Sequence, residues 1–444
     1  MPRRLMRRCA RIAAVGGVGI AASFGLATAA SGTTSPAQNN LIIGSGSSTA
    51  YAVMNSLGDL FNGLPGCNLI AEAGTTQQLN FSCTPSSIGL PLGDGENWTN
   101  DVVAEEPPLG SSNGIEQLEN QGAHTPTGVD VAPVDFARSS RAASSNDLQG
   151  LNFVAFAKDG VSFFHFTEVS GKATPSSNCT DLSAATLTSI WGGTITNWDQ
   201  VKNVNSTTAC GTNAPIDPYA AQSGSGTEAT WASFVCGVGV CDQSYILSKG
   251  TAYSSTHIIA ENEDNSIIAN GDEADAIFYF SYGLYTVSCK VVCGGARPPA
   301  HSKTALGSIN GVAPSATTIL NGTFPVPRFI YNVYSNGSNS NIPASPAATL
   351  NFASEVGFIC KPNTFTVDGK TSPILDPKTG VAVRTEIDTA ITDNGFFVLP
   401  YGNEGTVPHP ANLTGTPYAQ YDPTGQSSYD GYCLVTTTDG NSSS

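Results

Sequence analysis

Gln222-Ser-Gly-Ser-Gly-Thr-Glu228, followed by the apolar run Ala229-Thr-Trp-Ala-Ser-Phe234, has the pattern of a glycine- and serine-rich loop that opens a helix. Gly44-Ser-Gly-Ser-Ser-Thr49 has the same pattern, since it follows the strand-like Leu41-Ile-Ile43 and precedes a helical pattern. Such a loop presents backbone N–H groups and hydroxyls to an anion at the start of the helix. Two such units indicate an oxyanion held between two lobes.

Short apolar strand patterns alternate with helical patterns along the chain, and this alternation predicts an α/β fold. Leu151-Asn-Phe-Val-Ala-Phe156 has the pattern of a buried strand, and Lys158-Asp-Gly160 is a turn that begins a crossover to a second lobe. Phe329-Ile-Tyr-Asn-Val-Tyr334 is a strand that returns to the first lobe. Residues 84–108, rich in proline, glycine, asparagine and acids, are predicted to form an insertion loop. The 444 residues exceed one small core, which also favours two lobes.

Residues 1–30 have the pattern of a secretory signal peptide: five arginines, an apolar stretch over residues 12–26, and then small residues. We expect cleavage near Ala30 or Ser31 and an exported protein, extracellular, on the cell surface or periplasmic. We expect no membrane insertion, because no later apolar run approaches the roughly 18 residues that span a bilayer.

The charge balance argues against two classes of partner. Without the five leader arginines, 14 basic residues face 35 acidic ones, a net charge of about −21. Nucleic acids and anionic membrane surfaces are therefore disfavoured. A small anion is not excluded, because N–H dipoles act at short range while distant charges are screened beyond about 10 Å.

Ten cysteines follow the leader, and an even number in an exported chain predicts disulfides. A metal site at one of the closely spaced pairs is disfavoured, because the C-x2-C spacing and nearby histidines are missing. We therefore expect no metal and no cofactor. Pairing sequence neighbours gives Cys67–Cys83, Cys179–Cys210, Cys236–Cys241, Cys289–Cys293 and Cys360–Cys433.

Six short motifs follow one another along the chain between Gly44 and Arg328. They are Gly44-Ser-Gly-Ser-Ser-Thr49, Gly110-Ser-Ser-Asn-Gly114, Val134-Asp-Phe-Ala-Arg-Ser-Ser140, Leu187-Thr-Ser-Ile-Trp-Gly-Gly-Thr-Ile-Thr-Asn-Trp198, Gly224-Ser-Gly-Thr227 and Phe324-Pro-Val-Pro-Arg328. In this order they resemble the PstS-like, phosphate-type substrate-binding proteins of ABC importers, which have a type II periplasmic binding protein fold.

The resemblance implies an α/β fold with two lobes joined by a two-stranded hinge, and a ligand cleft between the lobes. We assign residues 1–30 to the signal peptide, 31–156 and 329–438 to lobe I, 157–328 to lobe II, and 439–444 to a disordered tail. The family further implies phosphate or a related small oxyanion as the ligand, an ABC permease as the partner, and a monomer without catalytic residues.

Carried over by position, seven residues would contact the ligand: Ser48, Thr49, Ser111, Ser140, Ser225, Gly226 and Thr227. The chain departs from the family pattern at two positions. Ser140 stands where phosphate binders place an aspartate that accepts a ligand proton, and Ala221 stands where they place an arginine. These departures remove an acceptor carboxylate and a charge-assisted contact.

For residues near these positions the sequence allows two alternative roles. Arg138 and Arg141 either turn into the cleft and replace the missing charge or pair with acids away from the ligand. Gln222 either donates to a ligand oxygen or stabilises its own loop. Glu261-Asn-Glu-Asp-Asn-Ser266 is predicted to cap the helix that follows, with Asn265 or Ser266 as the N-cap, in preference to a ligand contact.

The first functional hypothesis is an exported solute-binding protein that captures phosphate or a related oxyanion for an ABC importer. The alternative is a secreted PstS-like protein with an altered or lost phosphate site, which binds another ligand or partner. A serine hydrolase is disfavoured, because there is no G-x-S-x-G elbow in strand context and no serine with a histidine in a recognisable motif.

Overall fold

The computed structural model describes most of the chain that follows the predicted signal peptide. The predicted signal peptide itself and residues 440–444 of the predicted tail lie outside the described residues. The ranges described are 41–63, 68–70, 80–82, 91–92, 96–97, 102–120, 134–236, 241–292, 302–367, 370–376, 378–401 and 428–439.

Helices and strands alternate through these residues, as the sequence predicts. The helices are α1 Ser48–Gly63, α2 Ser111–Glu119, α3 Ala184–Trp191, α4 Gly226–Cys236, α5 Cys241–Ser248, α6 Thr251–His257, α7 Asn265–Asn270, α8 Tyr282–Val292, α9 Ala316–Leu320, α10 Ala347–Ala353 and α11 Val383–Asp393. The strands are β1 Leu41–Gly46, β2 Asn68–Ile70, β3 Asn80–Ser82, β4 Pro91–Leu92, β5 Glu96–Asn97, β6 Val102–Glu105, β7 Phe136–Ser139, β8 Leu151–Val169, β9 Lys172–Ala173, β10 Asp181–Leu182, β11 Asp217–Pro218, β12 Ala220–Ala221, β13 Ile258–Ile259, β14 Ala276–Ser281, β15 Ser302–Leu306, β16 Ser308–Ile309, β17 Pro327–Ser335, β18 Thr364–Val367, β19 Lys370–Pro373, β20 Phe397–Val398, β21 Ser428–Asp430 and β22 Cys433–Thr437.

The main sheet has the order β11-β14-β8-β17-β7-β1-β6. β1 is parallel to β6 and β7, whereas β17 is antiparallel to β7 and β8. The first half of β8, up to Gly160, pairs with β17, and the second half, from Val161, pairs with β14. One long strand therefore belongs to two groups of strands, which we call lobe I (β1, β6, β7, β17) and lobe II (β11, β14, β15).

Two adjacent segments connect the lobes. β8 crosses at Gly160 and Val161, and β17 begins opposite this point, with Pro327 paired to Gly160. The Val161 N–H donates to the Val326 carbonyl at 2.9 Å, so the two segments run side by side. This arrangement agrees with the predicted two-lobe α/β fold. The crossing lies close to the predicted boundaries at 156/157 and 328/329, which themselves stay a prediction.

Each lobe packs helices against the sheet through apolar side chains. α1 buries Val53, Met54, Leu57 and Phe61, which lie on one face of the helix and contact the lobe I core. In lobe II the fully buried Trp191 packs edge-to-face on Trp231, with ring centroids 5.1 Å apart. No described helix has the length and apolar character that crossing a membrane requires.

The prediction of an insertion loop over residues 84–108 is wrong for Val102–Glu105, which forms β6. This strand pairs in parallel with β1, from Leu41 opposite Val102 to Gly44 opposite Glu105. Two adjacent valines favour a strand, and the Val103 side chain is buried. The Asn62 side chain bonds both backbone groups of Val103, at 2.8 and 2.9 Å, and so fixes β6 to the end of α1.

Two predicted disulfides are confirmed, Cys179–Cys210 and Cys360–Cys433. Each of the other three predicted pairs includes a side chain outside the described part of the structure, so they stay predictions. Asp439, which we assigned to the disordered tail, accepts a hydrogen bond from the Ser338 hydroxyl at 2.7 Å and one from the Asn336 amide at 3.3 Å.

Candidate functional site

The predicted ligand loops meet in one place. Each contributes at least one fully buried polar side chain. The first loop leaves β1 at Gly46, whose φ of +115° favours glycine and whose added Cβ would lie 2.5 Å from the Arg138 carbonyl oxygen. This tight passage directs the chain into α1. The buried side chains are Thr49 at the start of α1, Ser111 at the start of α2, Ser140 after β7, and Ser225 and Thr227 at the start of α4.

The loops of the two lobes are in direct contact. The hydroxyls of Thr49 in lobe I and Thr227 in lobe II lie 3.1 Å apart. The side-chain amide of Asn262 donates to both, at 2.8 and 3.3 Å. At the next loop, the Ser112 N–H donates to the Gly224 carbonyl at 3.0 Å. The cleft is therefore closed in this structure.

Three serine hydroxyls of lobe I form a group beside the start of α4. Ser47 Oγ donates to Ser140 Oγ at 3.1 Å, and Ser111 Oγ lies 3.3 Å from Ser140 Oγ. The Ser140 N–H donates to Ser111 Oγ at 3.0 Å. Gly226 packs directly on this group, since a Cβ at that position would collide with the hydroxyls of Ser111 and Ser140. Glycine therefore lets α4 approach the serines.

The Glu261 carboxylate occupies the position at which the loop donors converge. It accepts the Thr49 N–H at 3.0 Å and the Thr49 hydroxyl at 3.3 Å. It also accepts the Thr227 N–H at 3.2 Å and a short hydrogen bond from the Ser225 hydroxyl. The Glu261 residue is only 5% exposed. Donors that the sequence predicts for an oxyanion thus bind a carboxylate of the protein itself.

The predicted capping role of this segment is carried by a different glutamate. Glu263 accepts the N–H groups of Asn265 and Ser266, at 2.8 and 3.3 Å, and the Ser266 hydroxyl at 2.6 Å. Asp264, rather than Asn265 or Ser266, is the N-cap residue of α7. Because Glu263 satisfies the start of the helix, Glu261 is available to contact the loops.

Gln222 and Ser48 lie at the edge of this cluster. The Gln222 side-chain oxygen accepts the Glu261 N–H at 2.8 Å, which agrees with a loop-stabilising role. Ser48 lines an open pocket of about 800 Å³ next to the cluster, together with Gln222 and Glu261. Leu109 and Asn113 of lobe I complete one wall of this pocket. Solvent therefore reaches the cleft from this side.

A sequence profile decides the family of the chain. The PBP superfamily domain matches residues 96–356, more than half of the chain. This protein belongs to the PBP superfamily. The match includes the loops of Ser111, Ser140 and Ser225, whereas the loop at Gly44–Thr49 precedes it. A search of curated proteins finds no significant match.

Several solved structures are similar to this PBP-superfamily chain at low sequence identity. One, assigned as a phosphate ABC transporter substrate-binding protein with bound phosphate from Clostridium perfringens, is 15% identical, with a TM-score of 0.43, over 81% of this chain and 99% of that one. An ABC-type phosphate transport receptor from Vibrio cholerae is 18% identical, with a TM-score of 0.39, over 67% of this chain and 88% of the other. PstS from Borrelia burgdorferi is 19% identical, with a TM-score of 0.34, over 68% and 89%.

The structure does not bring Arg138 or Arg141 to the donor cluster of this PBP-superfamily domain. Arg138 is fully buried, forms a short ion pair with Glu105, and donates to the Gly44 carbonyl at 3.0 Å. Burial raises the pKa of Glu105 to about 7, although the neighbouring Arg138 lowers it. Arg141 pairs with Asp147 at 2.7 and 2.9 Å. Both guanidinium groups therefore bind acids away from Glu261.

Arg328 is a buried cation beside the cleft that the sequence did not single out as a site residue. It is 1% exposed at the start of β17, and its Nη1 donates to the Thr227 hydroxyl at 2.9 Å. Its Nε donates to Asp159 Oδ2 at 2.9 Å, and Nη2 lies 2.8 Å from the same oxygen. Asp159 is also buried and accepts the Ser281 hydroxyl at 2.8 Å. The sequence signal is an arginine directly before a buried apolar strand.

Glu228, in the first turn of α4, is a second buried acid near the loops. Burial, together with the smaller effects of the Asp242 and Glu261 charges, raises the pKa of Glu228 from 4.5 to about 8. The folded protein therefore binds a proton here that the unfolded chain releases near pH 4.5. The stabilising contribution of this proton is complete below pH 4.5 and is lost as the pH rises to about 8.

Replacing Glu228 with Gln should therefore flatten the pH dependence of stability between pH 5 and 9, because glutamine carries no titrating proton. Above about pH 8 the variant should be more stable than the wild type. Urea midpoints measured across this range test the expectation. Parallel pH profiles for the variant and the wild type would contradict it.

Within the described ranges, no group of three or more histidine, cysteine, aspartate or glutamate side chains is placed to hold a metal ion. The polar groups that converge in the cleft are mainly hydroxyl and N–H donors with one carboxylate and one arginine. Such an arrangement suits reversible binding of an anion through hydrogen bonds.

Proposed function

We propose that this protein is an exported solute-binding protein that captures phosphate or a related small oxyanion between its lobes for an ABC importer. The observation that carries the proposal is the convergence of donors from both lobes on one carboxylate, Glu261. A carboxylate and a phosphate oxygen accept hydrogen bonds with the same chemistry. Binding would favour the closed arrangement of the lobes, without any reaction.

Three donors form the core of the proposed site: the N–H groups of Thr49 and Thr227 and the Ser225 hydroxyl. The hydroxyls of Ser111 and Ser140 lie next to them and extend the site within lobe I. Arg328 donates to the Thr227 hydroxyl and so positions this side chain in the cleft, while Asp159 neutralises the charge of the guanidinium. We do not include Arg138 or Arg141 in the proposed contacts, because Glu105 and Asp147 bind them.

The alternative is a secreted PstS-like protein whose site serves another ligand or partner. It is favoured by one observation, the occupation of the loop donors by Glu261. The two functions differ in their response to phosphate: a receptor is stabilised by the anion, whereas a protein with a lost site is not. For a receptor we expect a melting temperature that rises with phosphate concentration.

Replacing Ser225 with Ala should weaken phosphate binding by roughly 10- to 100-fold, since one charge-assisted hydrogen bond is worth about 1.5–3 kcal/mol. Replacing Thr227 with Val should weaken it less. In the second variant the N–H remains, but the hydroxyl that links Arg328 to the cleft is lost. Thermal shifts over a phosphate series measure the change.

Ser233→Ala is the matched control for these two variants. Ser233 lies on the same helix, α4, but is exposed, so its replacement should leave the phosphate-dependent shift unchanged. Equal shifts in the wild type and Ser225→Ala would remove the Ser225 hydroxyl from the site, and equal shifts in Thr227→Val would show that the Thr227 hydroxyl does not support it.

A further inference from the structure

Glu261 makes the contacts of a bound anion. Its two carboxylate oxygens accept two backbone N–H groups and two hydroxyls, from the first turn of a helix in each lobe. Glu261 belongs to lobe II, yet Thr49 belongs to lobe I, so the side chain joins the two lobes across the cleft. A buried carboxylate is stable only when its oxygens are satisfied in this way.

We propose that Glu261 is an internal ligand of the cleft. Without solute, its carboxylate fills the oxyanion subsite and holds the lobes together, and a solute binds by displacing it. The inference rests on the proposed function and deepens it, because it determines which anions are bound.

Competition with an internal carboxylate selects for an anion that makes more contacts than a carboxylate does. Among the described contacts of Glu261 there is none with Ser111 or Ser140, whose hydroxyls bond to one another instead. A tetrahedral dianion has four oxygens and a second charge, so it reaches these hydroxyls as well as the loop donors. A small monocarboxylate such as acetate gains nothing over Glu261. The site therefore favours tetrahedral oxyanions.

The pocket beside Glu261 can accommodate the displaced side chain. Glu261 lines the open pocket of about 800 Å³, which also borders Ser48 and Gln222. The Glu261 backbone N–H is held by Gln222, so a rotation of the side chain alone moves the carboxylate from the donors toward solvent. No rearrangement of α7 is needed, because Glu263 caps that helix separately.

An internal competitor raises the apparent dissociation constant in inverse proportion to the fraction of protein whose site is free. Glu261→Gln keeps the size of the side chain but removes its charge and places an amide donor against N–H groups. Glu261→Asp keeps the charge but shortens the side chain, so that it no longer reaches the donors of both lobes. These two variants separate competition from simple repulsion between Glu261 and the anion.

The test is calorimetric titration of phosphate and sulfate into the wild type, Glu261→Gln, Glu261→Asp and the matched control Glu263→Gln. We expect both Glu261 variants to bind both anions about tenfold or more tightly than the wild type. Glu263→Gln makes the same charge change two residues away and should bind as the wild type does.

Unchanged or weaker binding in both Glu261 variants would overturn the inference. A gain in Glu261→Gln alone would also overturn it, because repulsion then explains the effect. A loss of phosphate binding with a gain for sulfate would mean that Glu261 accepts a ligand proton, which again overturns displacement but leaves the proposed function intact. Absence of anion binding in all four proteins would instead reject the proposed function.

Discussion

Replacing Arg328 with Met should lower the free energy of unfolding by about 3–5 kcal/mol, because Asp159 is then left charged and buried without its partner. Both side chains are at most 1% exposed, and two guanidinium nitrogens lie within 2.9 Å of Asp159 Oδ2. Asp159 retains the Ser281 hydroxyl and the Gly283 N–H, which do not neutralise its charge. Urea unfolding of the ligand-free protein measures the loss.

Two further variants test whether the loss of stability comes from the buried ion pair. The double variant Arg328→Met/Asp159→Asn removes both charges and should recover part of the lost stability. Lys303→Met breaks the ion pair with Glu168, in which the lysine is 68% exposed, and should change stability by no more than about 1 kcal/mol. If Arg328→Met were as mild as Lys303→Met, the buried pair would not stabilise the cleft.

Removing the Cys360–Cys433 disulfide by a double replacement with Ser should cost between about 3 and 5 kcal/mol. The bond closes a sequence separation of 73 residues, and the loss of this constraint enlarges the conformational freedom of the unfolded chain. It also anchors β22, whose first residue is Cys433, to the lobe I core. Urea unfolding under non-reducing conditions measures the effect.

The matched comparison is the double replacement of Cys179 and Cys210. This bond closes a separation of 31 residues in lobe II, and the entropy argument gives it a slightly smaller contribution. A Cys360/Cys433 double variant that unfolds at the wild-type urea concentration would show that β22 is held without the bond.

The sequence predicts the loops of the site well because each is a local structure. A strand followed by glycines, serines and the start of a helix determines its own geometry, and parallel strands such as β1 and β7 end at the same edge of a sheet. The hydroxyls of Thr49, Ser111 and Ser140 therefore lie where the pattern indicates. That Thr227 meets Thr49 across the cleft follows from the two-lobe fold.

Glu261 and Arg328 could not be placed from sequence, because their partners are distant along the chain. Glu261 contacts Thr49, 212 residues away, and Arg328 pairs with Asp159, 169 residues away. Local reasoning gave the segment of Glu261 a capping role, and Glu263 fulfils that role with the same side-chain chemistry. Only the tertiary structure distinguishes the two glutamates.

For Arg138 the sequence left two alternatives open, a contact in the cleft or a pairing with an acid. Arg138 lies two residues before Ser140, but its guanidinium contacts Glu105 on β6 and the Gly44 carbonyl. Residues 84–108 are rich in acids and are predicted to form a loop, so the sequence does not identify which acid pairs with Arg138. Only the structure, in which Glu105 lies on β6, identifies the partner of Arg138.

The central claim is that the cleft binds a phosphate-like oxyanion. Calorimetric titration of the ligand-stripped, disulfide-intact protein with phosphate, at pH 6 and pH 8 and with sulfate as the comparison anion, tests it most directly. We expect saturable phosphate binding to one site per chain. Absence of binding heat with both anions at both pH values would contradict it.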